Sequence, residues 1–271
     1  MQTQTAPTVG AILDRFEREY LPTLGLRTQK DYRRHLKVLR REFGERVADE
    51  LKPRDFADFM NVKKGKIQRN RQLAVLSCAF SEAVGRYYWM ERNVLRDVKR
   101  HPSSPRNRYV TDEEFERCKA IAPQRVKLAM ELALLTGQRQ GDLIGLKWDQ
   151  VQDMMILFTQ AKTGKRLAVQ ITPAVEAVLD RCWKLPNRGE YVIGTRKGTR
   201  YTSEGFRAVW QRTQRKYVKG GNARFCFHDI RAKSASDSET IDAAYQRLGH
   251  TSMTMTRRVY DRGVRVVSPL K

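Results

Sequence analysis

The stretch FHDIRAKSAS, residues 227–236, holds one of only four histidines in the 271-residue chain, with an arginine three positions later. Residues at i and i+3 share a helix face, so His228 and Arg231 read either as a solvated pair opening a surface helix or as two groups aimed at one ligand. A second pair has the same spacing: TGQRQGDLIGLKW places Arg139 and Asp142 at the start of a helix, just after Gly137. A cation at a helix start opposes the macrodipole, which suggests that Arg139 serves something other than its own helix. Phosphate is the chemical match, because a guanidinium fork donates to two non-bridging oxygens at once. Asp142 would then hold Arg139 in place from behind. A simple intrahelical salt bridge is the alternative.

The charge balance favours a polyanionic ligand. Lys and Arg number 53 against 30 Asp and Glu, a formal net charge of +23. Such an excess points to nucleic acid before any other partner. A membrane partner fits poorly, since no run reaches the ~18 apolar residues of a spanning helix and no single basic amphipathic anchor stands out. The start, MQTQTAPTVG, lacks the charged-then-apolar order of a signal peptide, so a cytosolic protein is expected. Cys78, Cys118, Cys182 and Cys226 are scattered without a Cys-x-x-Cys pair. Neither a zinc site nor a disulfide framework is indicated, and the four are read as buried thiols.

The elements that must position these groups fall into two halves. From Val9 to about Asn93 the pattern is helical. In TQKDYRRHLKVLRREFG, Thr28 can cap a helix whose apolar Tyr32, Leu36, Leu39 and Phe43 recur at helical spacing and which stops near Gly44. Its other face carries Arg33, Lys37, Arg40 and Arg41 without acidic partners at i+4, so it reads as a DNA-facing stripe more than as a solvated face. RNRQLAVLSCAFSEAVGRYYW buries Leu73, Leu76 and Phe80, and Lys63, Lys64, Lys66, Arg69 and Arg71 lie at or before its start. Periodicity then fails in RDVKRHPSSPRNRYV. The expected organisation is a helical DNA-binding domain over 8–95, a basic linker over 96–108 and a second domain over 109–271. That second domain opens with a capping box in TDEEF, Thr111 with Glu114. RVKLAMELALLTG reads as a buried helix stopped at Gly137, MMILFTQ and RLAVQIT as two strands joined by a turn at AKTGK, and most of the remainder as helix.

The turn puts Lys162 at a hairpin tip, LGH supplies His250, and TRRVYDR supplies Tyr260. With these in place the chain resembles the tyrosine recombinases, the phage-type integrases, in which an arginine in a T-G-x-R-x-G-(E/D) context, a hairpin lysine, an H-x-x-R pair, a histidine in L-G-H and a tyrosine surround one DNA phosphate. Arg139, Lys162, His228, Arg231, His250 and Tyr260 match in order across Thr136 to Tyr260. The interval from His250 to Tyr260 is one residue longer than the family's usual spacing. No tyrosine follows Tyr260, and Tyr245 precedes His250. The amino-terminal half resembles the family's core-binding domain in pattern and position.

The resemblance implies a fold that is mainly α with a small β-hairpin or sheet: a helical core-binding domain, in which the charge pattern already turns Arg33, Lys37, Arg40, Arg69 and Arg71 toward DNA, and an α+β catalytic domain. It also implies an enzyme that cleaves and rejoins DNA through a 3′-phosphotyrosine. A tyrosine hydroxyl titrates near ~10 and needs help as a nucleophile. Arg139 and Arg231 would bind the phosphate oxygens, with Asp142 supporting Arg139. His228 would take the proton of Tyr260, His250 would add a hydrogen bond, and Lys162 would protonate the leaving 5′-oxygen. No metal, ATP or other cofactor is expected. Double-stranded DNA and a homotetramer on it are the implied partners, with a directionality factor or a host DNA-bending protein as further candidates, in the nucleoid of a bacterial cytoplasm. Type IB topoisomerases share this site chemistry, and a non-catalytic DNA-binding protein on the same fold is the other alternative. With about ten residues before the first helix, the arm-site module of lambda-type integrases is expected to be absent. The apolar Val264, Val266, Val267 and Leu270 after Tyr260 suggest a tail that docks, on a neighbouring subunit or on its own.

Overall fold

The computed structural model of the chain describes residues 6–104 and 106–249; His250, Tyr260 and the tail after it lie outside the described residues. The chain divides into two compact units, Met1–Ser104 and Pro105–Lys271.

In the first unit, helix α1 spans Val9–Arg15, started by Thr8, whose side chain accepts the Ala11 N–H at 3.2 Å. Helix α2 runs over Leu26–Phe43 and ends against Gly44. It therefore begins before Thr28, which lies inside it. The long helix α4, Lys66–Gly85, follows a single turn, α3, Ala57–Met60. The apolar stripe of α2 packs as its spacing demands: Leu36, Leu39 and Phe43 are buried, and Tyr32 stacks at 6.4 Å on Phe16. From α4 come Leu73, Leu76 and Phe80, all fully buried in the same core.

The second unit opens with α5, Asp112–Ile121. Its capping box is reciprocal: the Glu114 N–H donates to Thr111 Oγ1 at 3.3 Å, and the Thr111 N–H donates to the Glu114 carboxylate at 3.1 Å. Helices α6, Gln124–Thr136, and α7, Gln140–Leu143, follow. Then comes an antiparallel meander of β1, Val151–Gln152, β2, Met155–Thr159, and β3, Arg166–Gln170, with Ile156 opposite Val169 and Thr159 opposite Arg166. The sequence pattern gave two of these strands; β1 is too short to show a period, and it turns into β2 through Asp153 and Met154, both at positive φ. Helices α8, Pro173–Trp183, α9, Ser203–Lys219, α10, Phe227–Ser236, and α11, Ile241–Leu248, complete the described part. The fold is mainly helical with one small sheet, as the sequence implies. No helix among the described residues is long and apolar enough to cross a membrane.

Burial pushes the thiols of Cys118 and Cys182 up to about 12. Cys78 and Cys226 are only half-buried, so the expectation of four buried thiols holds for two of them.

The start of this unit is fastened to α10 by polar contacts. Arg106 forms a two-point ion pair with Asp229, at 3.0 Å for each contact, and the Tyr109 hydroxyl donates to Asp237 at 2.6 Å. Lys233 is fully buried and is neutralised by Asp112 at 2.7 Å and Asp237 at 2.8 Å. Burial alone would lower its pKa, but the two carboxylates and the Tyr109 hydroxyl outweigh it and the net shift is upward. A cation whose folded pKa is raised contributes its full stability below its ordinary value of 10.5 and loses it only as pH rises through the higher folded value. Replacing Lys233 with Met should cost about 2–3 kcal/mol, below the full penalty for a broken buried pair because Asp112 can rehydrate. Urea denaturation at neutral pH measures it; an unchanged midpoint would mean that the lysine stem supplies the stability and its charge none.

Candidate active site

A helix leaves its last carbonyls without intrahelical partners, and two helix ends in this unit meet one buried arginine. Helix α6 stops at Gly137 and α11 at Gly249, both glycines in the left-handed region at φ 66° and 62°, where a side chain would be strained. Arg231 donates Nη1–H to the Gly137 carbonyl at 2.5 Å and Nη2–H to the Leu248 carbonyl at 2.7 Å. The T-G and L-G pairs of the sequence are thus helix stops whose carbonyls face the same guanidinium. Helix α10 delivers Arg231 there because its first turn is held by an aromatic cluster: Phe227 packs edge-on against Phe206 and Trp210, with ring centroids at 5.1 and 5.3 Å. Asp229 accepts the Cys226 N–H at 2.7 Å and fixes the helix start. His228, beside Phe227, is exposed, whereas Arg231 is 1% exposed. The reading of the two as a solvated surface pair therefore does not hold for Arg231.

Arg139 precedes α7 as its cap residue. Its direct partner is Gln160, whose Oε1 accepts Nη1–H at 2.7 Å. Asp142, expected to hold it from behind, stands 3.9 Å away at the limit of an ion pair. The reason is that Oδ1 of Asp142 is occupied by the Ala161 N–H at 2.9 Å, so this carboxylate ties α7 to the hairpin and reaches Arg139 only at long range.

Gln160 connects the rest. Its Nε2 donates to Gln138 Oε1 and to the Leu248 carbonyl, both at 3.0 Å, and Gln138 in turn donates to the Arg247 carbonyl at 2.8 Å. Arg139, Gln160, the Leu248 carbonyl and Arg231 form one continuous set of hydrogen bonds. Neither glutamine was singled out from the sequence. A signal was nevertheless present: in MILFTQ the alternation that buries Ile156 and Phe158 also points residue 160 inward, and an inward amide at a strand end demands buried partners.

Lys162 lies exposed in the turn between β2 and β3, where the Thr163 and Gly164 N–H groups donate to the Gln160 carbonyl. The neighbouring Lys165 leans toward the Tyr245 ring, 6.0 Å from its centroid. The structure thus brings together Arg139, Asp142, Arg231 and the hairpin of Lys162, with His228 exposed on the helix that carries Arg231; His250 and Tyr260 lie outside the described residues.

In the first unit, Arg40 is bound by Asp14 at 2.8 Å and Glu17 at 2.6 Å, and Arg33 lies 3.5 Å from Glu17. The acidic partners of Arg33 and Arg40 come from α1 and the turn after it, and so escape a search at i+4, while Arg41 pairs with the adjacent Glu42. Lys37 is exposed, and Arg69 stacks over the Phe59 ring at 4.1 Å. Arg71 borders a groove between α2 and α4 with Arg34, His35 and Gln68. Burial lowers the pKa of His35, and the nearby Arg34 and Arg71 lower it further.

The family described as Phage integrase family matches residues 108–263. The chain belongs to this family. It is a tyrosine recombinase, a site-specific DNA recombinase. The integrase of Escherichia phage lambda is 26% identical over 96% of this chain and 78% of its own length, and that of Escherichia phage HK022 is 28% identical over 94% and 76%. Among solved structures, a lambda integrase tetramer bound to a Holliday junction superposes with a TM-score of 0.84 at 25% identity, covering 99% of this chain and 81% of that one. A lambda integrase dimer bound to a COC′ core site gives 0.83 at 25%, covering 97% and 80%. The Tn1549 transposon integrase, at 17% identity and a TM-score of 0.75, shares the fold.

Gly137 tolerates no side chain without adjustment. A Cβ there would sit 2.9 Å from Leu248 Cδ2 and 3.2 Å from Ser234 Oγ, on a backbone at φ 66°. Gly137→Ala should cost about 1–3 kcal/mol and slow recombination by displacing the carbonyl that Arg231 holds. Denaturation and a strand-cleavage rate measured on the same preparation check it; full activity with unchanged stability would mean that the helix end can shift freely.

Proposed function

We propose that the chain cleaves and rejoins double-stranded DNA through a 3′-phosphotyrosine formed on Tyr260, as a homotetramer on DNA, with a metal-free and ATP-free mechanism. The observation that carries the reading is the continuous hydrogen-bonded set joining Arg139 to Arg231 beside the hairpin of Lys162. The DNA-bound dimer and tetramer of lambda integrase lend support to the partner and the assembly.

In this mechanism the Tyr260 oxygen attacks phosphorus and its proton passes to His228. The bond from phosphorus to the 5′-oxygen breaks, and Lys162 protonates that oxygen as it leaves. Arg139, whose side chain is 19% exposed, contacts the non-bridging oxygens. Arg231 supplies charge from a buried position, where water screens it weakly. His250, next in sequence after Gly249, adds a hydrogen bond. Because the phosphodiester energy is kept in the phosphotyrosine, a 5′-hydroxyl from another strand reverses the step without ATP. The cationic side chains do the electrostatic work that a metal does in other phosphoryl-transfer sites. The segment 8–95 serves as a core-type DNA-binding domain joined through 96–108 to the catalytic domain over 109–271. Within the first, Lys37, Arg69 and Arg71 are the phosphate contacts best supported, whereas Arg33 and Arg40 are engaged by acidic neighbours. Action on DNA in a bacterial host would place the protein at the nucleoid.

Covalent capture tests the reading. Tyr260→Phe should abolish a denaturation-resistant adduct with DNA while leaving affinity nearly intact, and an adduct formed by that variant would sink the assignment of the nucleophile. Strand relaxation without exchange by the unaltered protein would favour the topoisomerase alternative.

The two hairpin lysines are separated by the leaving group. Replacing the bridging 5′-oxygen with sulfur gives a thiolate, whose conjugate acid titrates near ~8.5 for a cysteine-like thiol and needs little protonation. Lys162→Ala should be severely slow on ordinary DNA and recover most of its rate on the sulfur-substituted strand. Arg231→Ala should not recover. Rescue of Lys165→Ala instead would transfer the role of the acid to that residue.

A further inference from the structure

We infer that Gln160 is the positioning residue that aims Arg139 at the scissile phosphate, and that it must be an uncharged amide to do so. The inference rests on the reading of Arg139 as a phosphate contact given above.

Gln160 is 0% exposed and closes β2 on its inner side. Its main chain sets the hairpin turn, donating to the Lys165 carbonyl at 2.9 Å and accepting from Gly164 at 2.8 Å. Its side chain satisfies separate segments at once. Oε1 accepts from Arg139 Nη1 at 2.7 Å and from the Thr163 hydroxyl at 3.1 Å; Nε2 donates to Gln138 Oε1 and the Leu248 carbonyl. That is the full capacity of a primary amide, two bonds given and two received. The orientation of the amide is forced, because a guanidinium can only donate and a main-chain carbonyl can only accept.

The chemistry explains why an amide stands here. A carboxylate in direct contact would neutralise the charge that Arg139 brings to the phosphate, whereas an amide oxygen fixes the guanidinium plane and leaves its charge intact. Among the described residues, the carboxylate paired with Arg139 is that of Asp142, which stands 3.9 Å off with Oδ1 bonded to the Ala161 N–H. A carboxylate at position 160 would also set an acceptor against the Leu248 carbonyl, and so disturb the end of α11 from which the chain continues to His250.

The experiment compares rates of covalent adduct formation on two DNA strands, one with the ordinary scissile phosphate and one with a neutral methylphosphonate there. The methylphosphonate lacks one charged oxygen and therefore needs less guanidinium assistance. Gln160→Met should be slower by about 10²-fold on the phosphate, the scale of a misplaced reacting group, and should approach the unaltered protein on the methylphosphonate, as Arg139→Ala should. The ratio of the two rates for each variant cancels any loss of folded protein. Equal slowing of Gln160→Met on both strands, alongside rescue of Arg139→Ala, overturns the positioning role and leaves a structural one. Failure to rescue Arg139→Ala itself overturns the phosphate reading, and the inference with it. If Gln160→Met does not fold, Gln160→Glu decides. Its activity relative to the unaltered protein should rise as pH falls, because a protonated carboxyl again offers a donor and an acceptor in place of a charge; a flat ratio overturns the inference.

Discussion

A buried arginine must find acceptors, and the rest of the catalytic unit is arranged around that demand. Desolvating a guanidinium is costly unless its protons are taken up. The carbonyls at the ends of α6 and α11 are the groups that an α-helix leaves unsatisfied, at the negative end of its dipole. Setting Arg231 between Gly137 and Leu248 removes both liabilities together. Each helix must stop at the right residue for this to work, which accounts for a left-handed glycine at or just beyond the accepting carbonyl.

Charge is handled differently in the two units. In the catalytic unit the neutral amide of Gln160 touches Arg139 while the carboxylate stays at a distance, so positive potential is preserved at the site. In the first unit Arg40 is neutralised by Asp14 and Glu17, and its contribution is to join α1 to α2. A count of basic residues cannot separate these cases; only the geometry of their partners can.

Much of this was legible in the sequence, for physical reasons. Helix stops at glycine, the reciprocal Thr111–Glu114 cap and the period of α2 are local signals, carried by residues within one or two turns of each other. So are the motifs that bear Arg139 and Arg231, since each sits at the end of an element. What escaped is non-local. Asp14 and Glu17 reach Arg40 from another helix, and β1 is defined by its neighbour more than by its own residues. Gln160 gains its meaning from Arg139, Gln138 and Leu248, up to 88 positions away. The early start of α2 at Leu26 has a different origin: its cap residue is Gly25, which has no side chain to make a capping hydrogen bond, so the start carries no side-chain signal.

The contacts that fasten the start of the catalytic unit have a mechanical consequence. Residues 106–112 are joined to α10 at Asp229, Lys233 and Asp237, points spread over two turns of that helix. A pull on the chain arriving at Arg106 is therefore shared between α10, through these polar contacts, and the hydrophobic core, which Val110 enters within the same segment. Because α10 carries His228 and Arg231, the entry segment acts as a splint on that helix, and the helix itself keeps the spacing between the two residues.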